Sequence, residues 1–519
     1  MASQQRNPFD LATDIVIVGL GPVGATLANL LGKCGINTLV LEREAAAYHL
    51  PRAVHFDDEV MRIFETIGLS DEIAKDVILS PGMHFVDVNG RLLLDWSRPA
   101  TISAQGWHPS YRFHQPNLER VLRAGLQRWP GVQVRNRCDV YAIDSDPDGV
   151  TVRFEDLSTG RLLGCRAQYV VGCDGARSLV RRLIGSGMHD LGFHERWLVI
   201  DLILNHPRPD LGDYSLQHCD PARPSTYVRG TGDRRRWEIT LHPDEEAHVM
   251  TTHPQVWDLL RKWVSPDDGE IERAAVYSFH SVIAERWRAG RLLLAGDSAH
   301  QTPPFLGQGM CAGMRDVSNL AWKLARIVHG HHTMPDADHL LGSYQSEREP
   351  HVREYIELAI KLGSVINATA TRDDFPGDTR DSSQPARMES KKPMLGPGLC
   401  AGHTAATGQL APQPVLGDGR RLDEHTGYRF ALITTPQFAD AMPEQFRRDI
   451  AAADIAVIDD AAPALQSWLA GMAHDAVLVR PDRYVLGGAN DIGDLSNLLA
   501  AITSSKAAFL PHRTSTTVG

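Results

Sequence analysis

One stretch restricts the architecture more than any other. Residues 14–24, DIVIVGLGPVG, join a run of β-branched apolar residues to glycines at positions 19, 21 and 24. An apolar run without polar alternation suits a strand buried on both faces, as in parallel sheets. GPVGATLANLLGKCG (21–35) reads as the return helix, with Val23, Leu27, Leu30 and Leu31 apolar, and NTLVLER (37–43) as the next buried strand. Strand, helix and strand within about 30 residues make a right-handed βαβ unit. Gly19 permits the turn, Gly21 lets a pyrophosphate approach the backbone, and Gly24 lets the helix pack on the strand. Pro22 and Val23 open that helix, whose amide end favours an anion. Glu42 closes the second strand with Arg43 beside it, and its carboxylate suits ribose hydroxyls. An acid there disfavours a 2′-phosphate, so the unit predicts an ADP moiety, from FAD or an NAD-like dinucleotide.

A chain of 519 residues is too long for one core, so two or three domains are expected. Two further apolar strands, QYVVGCDG (168–175) and RLLLAGDSA (291–299), also end in a glycine and an acid. Between them, RWLVIDLIL, STYVRG, RRWEITLH and AAVYSFHSV alternate as an antiparallel sheet does. The predicted organisation is a dinucleotide domain over 1–187, a β-sheet substrate domain over 188–284, and a return to the first domain with a long helix over 285–366. Residues 367–399, rich in Pro, Gly and Ser, read as a linker or surface loop. Residues 400–519 read as a small α/β domain with a loosely ordered tail beyond about Ser504.

A formal charge of −11 argues against a nucleic-acid partner, and Arg234-Arg235-Arg236 reads as a solvated turn with Trp237 directed inward. Seven cysteines lie far apart without a CxxC pair, which predicts reduced thiols in a cytoplasmic protein and no zinc or other metal site. The polar opening MASQQRNPFD predicts no secretory leader, and the lack of a run of about 18 apolar residues predicts no membrane span.

Four elements occur in a telling order: GLGPVG with Glu42, PRA at 51–53, DGARSLVR at 174–181, and GDSAHQTPPFLGQG at 296–309. Over nearly its whole length the chain resembles the single-component flavoprotein aromatic hydroxylases. PRAVHFDDEVMRIFETIGL, CDPARP, and GQGMCAGMRDVSNLAWKLA followed by SYQSEREPH are similar to the 3-(3-hydroxyphenyl)propionate hydroxylase group. The resemblance implies an α/β fold: a Rossmann-like FAD domain, an antiparallel substrate domain and a thioredoxin-like C-terminal domain. It implies FAD, NADH or NADPH, and O2: reduced flavin adds O2, and the resulting C4a-hydroperoxide hydroxylates a phenol or phenolic acid. Asp297, after Gly296, would bind the ribityl chain. Pro304 would stiffen the turn beside the flavin ring, and Gly307, Gln308, Gly309 and Met310 would start a helix facing its pyrimidine edge. Arg52 and Gln115 would touch FAD. Asp174 and Gly175 would sit near the pyrophosphate and ribose, while Arg177 and Arg181 would dock the nicotinamide or form internal salt bridges.

Along with Pro304, His55 is the candidate at the reaction centre, either handling a proton or serving as a structural cap near Asp57. Val54 stands where some relatives carry an acid, so that base does not transfer. Tyr214, His218, Arg223, Tyr227 and Arg229 are the substrate candidates in or beside the sheet, followed by Trp107 and His108; alternation turns about half of such residues to solvent. Cys400 is the one cysteine of the last segment, which therefore reads as a structural or dimer-contact module, and a homodimer is an assembly this allows. Other readings are an oxygenase for a non-phenolic or polyketide-type substrate and a non-catalytic flavin-bound redox sensor. A halogenase would carry a WxWxIP segment, which is absent.

Overall fold

The computed structural model describes residues 10–47, 51–330, 334–366, 385–399 and 406–503. Its first sheet has the strand order Arg288–Ala289, Leu292–Leu294, Tyr169–Gly172, Ile15–Val18, Thr38–Leu41, Val132–Arg135. All but the first of these run parallel. The apolar residues of the four central strands are buried on both faces, as the unbroken runs require, while Val132, Val134 and Ala289 at the edges are half-buried. Helix Pro22–Lys33 packs beside helix Gly309–Val328, so the first and third glycine-rich segments are neighbours.

The second large sheet has nine strands: His300–Gln301, Gly269–Ala284, Met188–Leu204, Arg234–Thr240, Ser225–Arg229, Ser215–His218, Gly82–Val86, Leu92–Ser97 and Ala386–Arg387. It is therefore not confined to 188–284, because two strands come from earlier in the chain and two from later. Its back face buries Leu198, Ile200, Tyr227, Trp237 and Ile239 against Val256 and Leu260 of helix His253–Leu260. Its front face buries Phe85 and Trp197 against Phe305, Leu306 and the long helix Met334–Ile366. The arginine run is no solvated turn: it opens a central strand, and Arg235 and Arg236 are buried. Trp237 does point inward.

Part of the predicted linker is a strap. Ala386–Arg387 pairs with Leu94 and Asp95, and Leu395 and Leu399 are buried; 367–384 lie outside the described residues. The C-terminal module has the sheet order Ala456–Ile458, Ala431–Thr434, Ala476–Val479, Val485–Ala489, with helices in the β-α-β-α-β-β-α succession of a thioredoxin-like fold. It docks on its own chain through buried ion pairs, Arg62 with Asp423 at 2.8 Å and Arg480 with Glu347 at 2.8 Å. The tail beyond Ser504 lies outside the described residues, as does Cys400.

Candidate active site

Parallel strands end along one edge, and the three glycine–acid turns leave that edge side by side. Cys173 N–H donates to Val18 O at 2.8 Å and Ala295 N–H to Gly172 O at 3.0 Å. Gly19, at φ +100°, is so close to the second turn that a Cβ would lie 2.5 Å from Cys173 O. A Cβ on Gly313 would lie 2.6 Å from Val23 and 3.1 Å from Gly296 Cα. Helix Gly309–Val328 thus closes the junction between the first and third turns through a residue with no side chain.

Other glycines leave room. A Cβ on Gly21 or Gly175 would meet nothing within 4 Å. The helices starting at Pro22 and Gly309 have Gly21, which lacks a side chain, and Gln308, whose side chain does not cap, at their N-caps, so the first amides are left without a side-chain acceptor. Two uncapped amide ends and an acidic strand end suit a diphosphate and its flanking hydroxyls. The donor and acceptor set fits FAD.

The predicted cofactor residues divide between wall and scaffold. Asp297 is exposed on the turn, yet the surrounding protein raises its pKa, opposed by His300 and Arg52. Glu42 accepts Leu20 N–H at 2.7 Å and Glu44 N–H at 2.8 Å, while Arg43 turns outward to Glu44. Gln115 accepts the N–H groups of Arg52 and Ala53 at 2.9 and 2.8 Å, so it shapes the Arg52 loop. Asp174 caps helix Leu179–Ile184 by accepting from Ser178, Leu179 and Val180. Arg181 spends its guanidinium on the carbonyls of Ser298 and Ala176, clamping the second turn to the third. Arg177 is exposed.

Pro304 starts the short turn Pro304–Leu306, which ends in Gly307 at φ +63°. Gly307 rests on His55, whose Nδ1 lies 3.5 Å from Gly307 O while Nε2 lies 2.9 Å from Ser110 Oγ. Burial pushes the His55 pKa down to about 4, against the pull of Asp57. A neutral ring with both nitrogens engaged braces the turn, so its geometry is that of a support.

Beneath this turn is a charge cluster that sequence reasoning missed. Arg315 pairs with Asp57 at 2.6 Å and Glu59 at 2.5 Å, and donates to Gln308 Oε1 at 3.0 Å. Although burial alone would raise it, Arg315 holds the Asp57 pKa down at about 2. PRAVHFDDE and GMRD contain these residues, but one sequence does not reveal that the acids of one segment meet the arginine of the other.

Of the sheet residues expected to touch substrate, Tyr227, His218 and Arg229 lie on the face turned away from Phe305 and Leu306. Tyr227 packs on Trp237 and His218 on Trp263, both behind the sheet. Arg229 follows Tyr227 by two positions and bonds Asp213, Gly230 and Gly232. Tyr214 stacks on His84, and Arg223 is taken by Glu245 at 2.6 Å. Trp107 donates to Glu65 under Arg421, and His108 follows it, at the C-terminal module.

The opposite parity forms the crevice wall. Val199 lies across from Glu238 on one side and Ala275 on the other; Trp197 lies across from Tyr277. Trp197 meets Phe305 at 5.7 Å between ring centroids, and Arg236 donates to Pro51 O and Arg52 O, both at 2.7 Å. Glu238 and Ala275 therefore sit between the Pro304 turn and the Arg52 loop. Burial raises the Glu238 pKa, opposed by Arg236 at 3.6 Å. Arg236 and Arg273 both pair with Asp201, and Arg273 also donates to Tyr277 Oη at 2.8 Å.

Among the described residues, no group of three or more His, Cys, Asp or Glu could hold a metal, and no helix is long and apolar enough to cross a membrane. A family profile described as FAD binding domain matches residues 12–359, and one described as HcaD C-terminal domain matches 435–505. The chain is 37% identical to a "Probable NADH-specific resorcinol 4-hydroxylase" of Rhodococcus jostii (strain RHA1), covering 96% of each chain. It is 34% identical to a 3-(3-hydroxy-phenyl)propionate/3-hydroxycinnamic acid hydroxylase of Burkholderia cenocepacia (strain HI2424), covering 99% of each. A solved structure of the flavin-dependent monooxygenase PieE with FAD and substrate shares the fold at TM-score 0.78 and 21% identity, covering 95% of this chain and 99% of that one.

Proposed function

From a chain that belongs to the FAD-binding family of flavoprotein monooxygenases, we propose an enzyme that hydroxylates a small phenol with NADH or NADPH and O2. The observation that carries this reading is the meeting of three glycine–acid turns opposite a wall bearing Glu238 and Tyr277. Bound FAD supplies electron transfer from the nicotinamide and activation of O2. This chain's residues hold and shield it. The amides of Pro22–Lys33 after the first position face phosphate, and Asp297 accepts hydrogen bonds from the ribityl hydroxyls. The free amides at Gly309 and Met310 stabilise negative charge on the flavin edge. Trp197 and Phe305 keep water from the crevice. Glu238 accepts the phenolic proton, which makes the aromatic ring a better nucleophile.

Because Asp201 and Glu238 together balance Arg236 and Arg273, the middle of the wall suits a second hydroxyl better than a carboxylate. That favours a resorcinol-type phenol. A phenolic acid gains support from Arg98, which lies over Trp96 and whose pKa burial pushes down to about 10. Steady-state NAD(P)H consumption with resorcinol and with 3-(3-hydroxyphenyl)propionate separates the two. The reading expects resorcinol to have the larger kcat/KM and Arg98→Ala to leave it unchanged. NAD(P)H oxidation that no phenol stimulates contradicts hydroxylation and favours the redox sensor. The cytoplasm, where NAD(P)H is available, is the compartment this reading requires. A homodimer belongs to it as well: a holoprotein mass in solution equal to one chain refutes that part.

A further inference from the structure

We propose that Tyr484, in the C-terminal module, is a positioning residue for the amide end of helix Gly309–Val328. The inference rests on the reading that this helix end faces the flavin, and it gives the module a role in tuning the cofactor.

Tyr484 lies in the turn joining strands Ala476–Val479 and Val485–Ala489. That turn is held on every side. Arg480 pairs with Glu347 at 2.8 Å and Asp482 at 2.7 Å, and Asp482 accepts from Asn319 of the helix Gly309–Val328 at 3.0 Å. Arg483, in the left-handed region at φ +72°, pairs with Asp423 at 2.9 Å. All four residues from Arg480 to Tyr484 except Pro481 have at most 6% exposure, so the turn has little freedom to move.

From this anchored turn, Tyr484 Oη donates to Glu59 Oε1 at 2.8 Å. Burial raises the phenol pKa well above its ordinary value, which keeps it a neutral donor. His351 Nε2, 3.5 Å from the same hydroxyl, belongs to a ring that burial keeps neutral. Glu59 Oε2 takes Arg315 Nε at 2.5 Å, Arg315 Nη1 donates to Gln308 Oε1 at 3.0 Å, and Arg315 Nη2 meets Asp57 at 2.6 Å. Gln308 Nε2 completes the ring by donating to Asp57 at 3.2 Å. Gln308 is the N-cap residue of the helix.

The physical consequence follows from sharing one carboxylate between two donors. With the tyrosine hydroxyl on Oε1, Glu59 offers Arg315 a single oxygen, and the rest of the guanidinium is left for Gln308 and Asp57. Without that hydroxyl, both oxygens turn to Arg315 in the preferred forked pairing. That fork uses Nε and Nη2, so Nη2 is drawn off Asp57, the ring that runs from Asp57 through Gln308 loosens, and the helix amides shift against the flavin edge. A covering module needs only apolar contacts; a hydroxyl aimed at this carboxylate does more.

The test compares full-length wild-type holoprotein with Tyr484→Phe, which removes one oxygen atom. The midpoint potential of the bound FAD and its dissociation constant are measured. Weaker amide support should reduce the preference for reduced over oxidised FAD about tenfold, a fall of about 30 mV for a two-electron couple. Arg429→Ala, which breaks the exposed pair with Asp454 in the same module, should leave the potential unchanged. Tyr484→Phe and Gln308→Ala should shift it non-additively, because they act through one network. A lowered melting temperature with unchanged potential, or additive shifts, overturns the proposal. A wild-type protein that retains no FAD overturns the flavin reading together with it.

Discussion

Asp316 accepts the backbone N–H of Gly296 at 3.1 Å, joining the helix that faces the crevice to the turn that carries Asp297. The same oxygen meets His300 Nε2 at 2.6 Å, and its partner oxygen accepts Arg348 Nε at 3.0 Å. Burial alone would raise this carboxyl; His300 and Arg348 hold its pKa below the ordinary value. Asp316→Asn leaves a buried arginine without its counter-charge. Denaturant unfolding should show a loss of about 3–5 kcal/mol, and purified protein should carry less flavin.

Two glycines of one motif should respond differently to alanine. At Gly24 the added Cβ would lie 2.1 Å from Gly19 O, so Gly24→Ala should destabilise the fold by at least about 2 kcal/mol. At Gly21 it meets only open space, so Gly21→Ala should melt like wild type while its absorbance spectrum shows lost FAD. Full flavin in Gly21→Ala would remove the diphosphate from this turn.

The two faces of the large sheet should separate in kinetics. Glu238→Gln should lower kcat/KM for the phenol by about 100-fold with FAD content unchanged, as for a lost general base. Since burial raises the Glu238 pKa, the wild-type acid limb should lie above the ordinary glutamate value, and the variant should lack it. Tyr227→Phe, behind the sheet, should leave both kcat and KM alone. A reversed pattern would mean that the back face binds substrate.

These two cases also mark what the sequence could disclose. The three turns were legible because glycines follow directly on apolar runs, with an acid beside them in the second and third, where local sterics decide the geometry. Residues on the substrate wall are separated by whole strands. Tyr227 and His218 have suitable chemistry, but one position of register puts them behind the sheet with Trp237 and Trp263. Glu238 is a single acid in a strand, with no local motif to mark it. Nothing in their local sequence sets Arg315, Asp316 and Glu59 apart, and only tertiary pairing buries them.

His55 sets an acid dependence. Its folded pKa of about 4 lies below the ordinary histidine value of about 6.5. Between those values the unfolded chain binds a proton that the folded chain refuses, so stability falls as pH drops from about 6.5 towards 4. The loss across that window is of the order of 3 kcal/mol. Asp57, held at about 2, adds its own loss only below about 4. His55→Gln can still bond Gly307 and Ser110 but does not titrate. Its melting temperature should be flatter than wild type between pH 4 and 6.5; identical curves would refute the assignment.

Turnover of a phenol by the holoprotein under oxygen-18 gas, with the product weighed by mass spectrometry, tests the central claim most directly. The account expects one labelled oxygen atom per product molecule and consumption of one NAD(P)H. Product oxygen drawn from water, or NAD(P)H oxidised to hydrogen peroxide with every phenol returned unchanged, would contradict it.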